Sequence, residues 1–282
     1  MKRKIILAEN AGFCFGVKRA VDESLQAREN SPKKIYTLGP LIHNKDVVKN
    51  LEAKEINAIS FEEIDNLEKD DIVVIRSHGV KENVITTLGS KGLIVNNATC
   101  PYVTSIHMKV KAHYEKGYTI VILGDENHAE VIGINGWCND SAIITNASDS
   151  DNLEFPKKVC VVSQTTEKKE NWERLLSNIV KVSKEIVAFN TICAATEERQ
   201  SSAQDISVKA DMVIVIGGKN SSNTTKLYEI CKKNCKNTYH IENASDLTDE
   251  IKNFDCKVIG ITAGASTPDF VINEVIDMLK NI

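Results

Sequence analysis

Three stretches of this chain repeat one order: a short apolar strand, a small polar turn, a cysteine, then a helical pattern. They are IILAENAGFC, LIVNNATC and EIVAFNTIC, ending at Cys14, Cys100 and Cys193. The intervals are 86 and 93 residues, close to 94, a third of the 282-residue chain. Polar loops keep step with the cysteines. His43, His128 and Ser221 follow them by 29, 28 and 28 residues, and His78, Thr165 and Ser266 by 64, 65 and 73. Self-similarity at a fixed period means one supersecondary unit used repeatedly. The reading is three similar α/β modules, 1–98, 99–191 and 192–282, with the N-terminal strand able to pair with the third. Packed as a trefoil about a pseudo-threefold axis, they bring three cysteines and six polar loops to one central site.

The pattern between the cysteines supports α/β. Short β-branched runs alternate with helical periodicity, as in a mostly parallel sheet. Strands are predicted at 5–8, 72–76, 93–96, 119–124, 159–163, 212–217 and 257–262, several of them apolar at every position, as in a sheet covered on both faces. Each runs into a small or polar loop: RSHGV, GDENHAEV, SQTT, GGKNSSN, TAGAS. Loops at the carboxyl ends of parallel strands are where such folds place ligands.

Composition removes several function classes. The net charge of −4 and pI near 5.9 exclude a nucleic-acid binder relying on a general basic field, and leave room for a small local anion site. The longest apolar run, Met212 to Ile216, is five residues, against roughly 18 for a membrane helix. The N-terminus starts like a signal peptide, but its apolar stretch stops at Glu9. The expectation is a cytoplasmic protein with no membrane partner, whose eight cysteines are thiols rather than four disulfides. There is no C-x₂-C pair, P-loop or G-x-G-x-x-G fingerprint, so a cysteine site must be assembled from distant parts of the chain.

A thiol just ahead of a helix has its thiolate favoured by the helix dipole. Three such thiolates can hold a zinc ion or three irons of an iron–sulfur cluster; the bland reading is three buried cysteines at equivalent repeat positions. Cys160, inside VCVV, reads as core, Cys231 and Cys235 as one helix face, and Cys138 and Cys256 as packing. His43, His78 and His128, with Ser221, Ser222, Asn223 and Ser266, make a diphosphate cradle of imidazoles, hydroxyls and amides. His107, His113 and His240 read as surface or helix packing. Glu130, two residues beyond His128, can serve as a proton donor, or merely as a helix-start carboxylate. Thr165 and Thr166 can orient a substrate hydroxyl, or cap a helix.

Taken in order, AENAGFCFGVKRAV, GPLIHN, RSHGV, NATCPYV, HAEVIG, SQTT, CAATEERQ, GGKNSSN and TAGASTPD run from residue 8 to residue 269. In these the chain resembles the 4-hydroxy-3-methylbut-2-enyl diphosphate reductase (IspH/LytB) family. The resemblance implies a [4Fe–4S] cluster on Cys14, Cys100 and Cys193 with one iron open. It implies two-electron removal of the substrate hydroxyl as water, giving isopentenyl and dimethylallyl diphosphate in the methylerythritol phosphate pathway. His43, His78, His128, Ser221, Ser222, Asn223 and Ser266 would bind the diphosphate, Glu130 would donate the proton, Thr165 would position the hydroxyl and Thr196 would support the site. A ferredoxin or flavodoxin would supply electrons. Asn97 stands where many relatives are expected to carry aspartate. The chain ends 13 residues past Asp269, with room for a helix over 270–279, and is expected to lack the RNA-binding-like repeats that some relatives append.

Two other classes compete. A zinc hydrolase could use three thiolates, an open position and Glu130 as base, but it would be unusual in having no histidine or carboxylate on the metal. An iron–sulfur sensor would have no need of an anion cradle.

Overall fold

The computed structural model describes residues 3–281. In chain order the elements are β1 (Lys4–Leu7), α1 (Phe15–Asn30), β2 (Ile35–Leu38), α2 (Lys45–Glu52), β3 (Ile56–Ile59), β4 (Ile72–Ile75), α3 (Glu82–Ser90), β5 (Ile94–Asn97) and α4 (Pro101–Tyr114). Then come β6 (Thr119–Leu123), α5 (Ala129–Asn135), β7 (Ile143–Thr145), β8 (Lys158–Ser163), α6 (Lys169–Ile179), β9 (Glu185–Ala188) and α7 (Ala194–Ser207). The last are β10 (Met212–Ile216), α8 (Ser222–Asn234), β11 (Thr238–Ile241), α9 (Asp249–Asn253), β12 (Val258–Ala263) and α10 (Asp269–Lys280).

The strands form three four-stranded sheets of orders β1-β12-β10-β11, β3-β2-β4-β5 and β7-β6-β8-β9, and every recorded pair is parallel. Read from the strand that leads to a cysteine, each sheet has the same order. That strand lies at one edge, beside the strand carrying the second polar loop, then the strand carrying the first. Three similar α/β modules are therefore real. The cysteine strand of each repeat, however, pairs with the sheet of the preceding one: β1 with β12, β5 with β4, β9 with β8.

Burial explains the all-apolar strands. Along β10, Met212, Ile214 and Ile216 enter one core and Val213 and Val215 the core on the opposite face. Alternate side chains of a strand point to opposite faces, so both must be apolar when helices cover both. β8 does the same, with Val159 and Val161 on one side and Cys160 and Val162 on the other. The expected strands are found with ends shifted by a residue or so. β2, β3, β7 and β11, which the sequence patterns did not single out, complete the sheets; β3, β7 and β11 are edge strands of three or four residues.

The chain divides into two compact units. The first holds the chain up to Val17, Ile42–Val47 and everything from Ala194 onward, with the sheet of β1, β12, β10 and β11; the second holds Lys18–Leu41 and Val48–Cys193, with the other two sheets. No helix among the described residues is long and apolar enough to cross a membrane.

Candidate active site

In the first unit the loop beyond β12 lies beside Cys14. The Cys14 amide donates to the carbonyl of Ala265 (3.2 Å), which sets the cysteine next to Ser266 just ahead of α1. The Ser266 hydroxyl donates to the carbonyl of His43 (3.2 Å). Asn44 fixes the chain on the other side of that histidine, its Oδ1 accepting the amides of Asp46 and Val47 (3.0 Å each) at the start of α2. Ser221 caps α8, its Oγ accepting the Thr224 amide. Ser222 and Asn223 form the first turn of that helix. Asn223 is 4% exposed, and neither its amide oxygen nor its nitrogen has a partner among the described residues. A buried amide with both ends unsatisfied is costly unless a ligand completes it.

Arg199, which sequence reasoning passed over, is the main buried cation here. From α7 it donates to Ala195 O (2.8 Å) and to Gly12 O (2.9 Å), tying the helix after Cys193 to the turn before Cys14. Thr196, on the same helix, is buried.

The second unit repeats the arrangement twice. The Cys100 amide donates to Ser77 O (3.0 Å), beside His78, and the Cys193 amide to Thr165 O (3.0 Å). The latter loops are further joined through Thr191, whose hydroxyl donates to Ser163 O (2.6 Å) and accepts the Ser163 amide (2.7 Å). Pro101 opens α4 directly after Cys100. Asn97 accepts the Thr99 amide on Oδ1 (3.1 Å), a role an aspartate oxygen fills equally, so the departure at this position leaves the local turn intact.

His78 and His128 stand edge to face, ring centroids 5.5 Å apart. His128 caps α5, its Nδ1 accepting the Glu130 amide (3.1 Å). That bond requires an unprotonated Nδ1 and leaves Nε2 as the N–H donor. Glu130 is 3% exposed and meets Thr165 twice: one carboxylate oxygen accepts the Thr165 amide (2.6 Å), the other its hydroxyl (2.7 Å). The two residues named for proton delivery and hydroxyl positioning are thus one buried unit. Gln164, the residue before, was not singled out. Its Oε1 accepts the Asp125 amide (3.2 Å), so it shapes the turn that leads to His128.

None of the eight cysteines is in a disulfide. Cys14, Cys100 and Cys193 are half-buried; Cys138, Cys160, Cys231 and Cys235 are buried. Burial pushes the Cys138 thiol up to about 11 and those of Cys160 and Cys231 up to about 12. A thiolate is the metal ligand, so these three positions are disfavoured. Cys235 donates to Asp211 O (3.5 Å), and burial also raises the Cys256 thiol. Cys14, Cys100 and Cys193 are the half-buried cysteines that stand just ahead of helices, α1, α4 and α7.

A family model described as LytB protein matches residues 5–280. The 4-hydroxy-3-methylbut-2-enyl diphosphate reductase of Clostridium perfringens (strain ATCC 13124) is 65% identical over the whole of both chains. The protein of the same name from Caldanaerobacter subterraneus subsp. tengcongensis is 51% identical, covering 99% of this chain and 97% of that one. Among solved structures, an (E)-4-hydroxy-3-methylbut-2-enyl diphosphate reductase, described as the terminal enzyme of the non-mevalonate pathway, is 42% identical with a TM-score of 0.72, covering 99% of this chain and 100% of that one. The Plasmodium falciparum reductase is 29% identical with a TM-score of 0.90, covering 99% and 88%.

Proposed function

We infer that this chain, which belongs to the LytB protein family, is an iron–sulfur enzyme that reduces (E)-4-hydroxy-3-methylbut-2-enyl diphosphate to isopentenyl and dimethylallyl diphosphate, the last step of the non-mevalonate route to isoprenoids. The observation that carries this reading is one backbone bond made three times, from Cys14, Cys100 and Cys193 to Ala265, Ser77 and Thr165. Each sets a half-buried thiol beside a polar loop.

The three thiols fit a [4Fe–4S] cluster by number, helix-start position and partial exposure, with one iron left open. When bound, the cluster supplies two electrons, drawn from a ferredoxin or flavodoxin, and a Lewis-acidic iron for the substrate oxygen. The chain's own residues do the rest. His43, His78, His128, Ser221, Ser222, Asn223 and Ser266 bind the diphosphate. Hydrogen bonds to such charged oxygens are worth roughly 1.5–3 kcal/mol each. Asn223 supports the reading most directly, because its buried amide has a donor and an acceptor without partners.

Thr165 holds the substrate hydroxyl, and Glu130, one oxygen of which accepts the Thr165 hydroxyl, is the acid beside it that supplies a proton. The C–O bond breaks, the hydroxyl leaves as water with one proton, and a second proton adds at either end of the allylic system. Two electrons and two protons balance the change. The compartment we propose is the cytoplasm, where thiols stay reduced.

The test is an oxygen-free assay of the iron- and sulfide-loaded protein with this diphosphate and a strong reductant. Both five-carbon diphosphates should appear by mass spectrometry. A loaded protein that binds the substrate and leaves it unchanged would contradict the reading.

A further inference from the structure

Beside the residues that flank His78 and His128, the second unit has a half-open cavity of about 390 Å³, the size of a small-ligand site. None of the residues proposed for the reductase site lines it. Its walls are mostly apolar, with Phe61, Val80, Val84, Ala129 and Ile132 among them, and of its two cations, Arg76 and Lys81, Arg76 is the one whose charge no group answers. Among the described residues no carboxylate pairs with the Arg76 guanidinium, and its Nε is buried without a hydrogen-bond partner. The only influence on its ionisation is burial, which lowers it and which no neighbouring charge offsets. Lys81, also on the wall, is already bound to Asp140 (2.8 Å). Gly39 (φ +70°) lets the guanidinium sit where it does, since a Cβ there would come within 3.0 Å of Arg76 Nη1.

An uncompensated guanidinium in a sheltered place is expensive unless an anion answers it. Two other features are unexplained by folding alone. Phe61 is 47% and Ile132 39% exposed, and both stand on this wall. Apolar surface next to a lone cation matches one ligand chemistry.

We propose that this cavity binds a small amphipathic anion, a carboxylate or phosphate ester whose oxygens meet Arg76 in the two-pronged geometry guanidinium favours, with an alkyl body of about five or six carbons against Phe61, Val80, Val84 and Ile132. Arg76 and Val80 bracket His78, and Ala129 follows His128, so an occupant braces the loops carrying both histidines.

The proposal does not depend on the cluster reading, because binding is read directly. Hexanoate and 3-methylbutyl phosphate are titrated into the oxygen-free full-length chain, followed by methyl NMR and calorimetry; their comparison decides between a carboxylate and a phosphate head. Hexan-1-ol and inorganic phosphate supply the tail and the head alone. At least one anionic amphiphile should bind saturably and shift the methyls of Val80, Val84 and Ile132. Affinity should fall at least tenfold in Arg76→Met and in Ile132→Asp, the second carrying the result if the first fails to fold. The inference is overturned if neither probe shifts these methyls, if hexan-1-ol binds as well, or if folded variants keep wild-type affinity. Equal binding of inorganic phosphate would mean an adventitious ion only, and would overturn it too.

Discussion

Glu130 is the residue on which turnover depends in this account, and its surroundings say how. Its carboxylate is held by the amide and hydroxyl of Thr165, so Glu130→Gln keeps the shape and most of the hydrogen bonding while removing the acid. General acid–base groups typically contribute about 10²–10⁴-fold. Steady-state kinetics should show kcat falling by about that range with KM changed only a few-fold; an unchanged kcat would remove Glu130 from proton delivery. Asn223→Ala should do the reverse, raising KM with kcat nearly intact, because its buried amide has no partner among the described residues and is proposed to bind the diphosphate. His107 makes a prediction about stability. It is buried against Trp137, ring centroids 5.0 Å apart, with its Cε1 where a Cβ on Gly79 would fall, and burial pushes it down to about 4. Its folded value lies below the ordinary 6.5, so the unfolded state takes up the proton first. The stability this preserves is complete above pH 6.5 and is lost as pH falls towards 4, at most about 3 kcal/mol. Urea melts of His107→Phe and wild type should therefore converge or cross in favour of the variant at pH 4.5, and a pH-independent difference would contradict the burial of a neutral ring. The roles of Arg199 and Gln164 were not legible in the sequence, because their partners lie far along the chain and no spacing announces them.

At the scale of elements, the repeat of cysteine and polar loop was readable because helix and strand periodicities recur with it. What grouping by module concealed is which loop each cysteine stands beside. Order along the chain groups Cys100 with His128, yet β5 hydrogen-bonds to β4 and so sets Cys100 beside Ser77 and His78. β11 and β7 escaped notice for another reason: TYHI and IIT are short edge strands with half-exposed positions, which lack the unbroken apolar signature of β10. The same contrast separates the cysteines. Cys160→Ser puts a hydroxyl at a fully buried position of β8 and should cost about 1–3 kcal/mol in a denaturant melt, with iron content unchanged. Cys193→Ser should leave the melt of the cluster-free protein nearly unchanged and lose most of the iron. If iron followed Cys160 instead, the assignment by burial would be wrong.

For the whole molecule, three sheets of one strand order each offer a cysteine at the edge and two polar loops at the carboxyl ends of the inner strands. Family membership implies an iron–sulfur group, for which Cys14, Cys100 and Cys193 are the proposed ligands, while the cavity at Arg76 belongs to the second unit alone. The central claim is that three thiols, and no others, hold a four-iron cluster. The direct measurement is an absorption spectrum of protein purified without oxygen, with iron and acid-labile sulfide counted on the same sample. A brown protein absorbing broadly near 400 nm, roughly as such clusters do, with about four of each per chain and loss of both in Cys14→Ser, is the predicted result. A colourless protein carrying one tightly bound zinc would contradict it and replace the redox chemistry with hydrolysis.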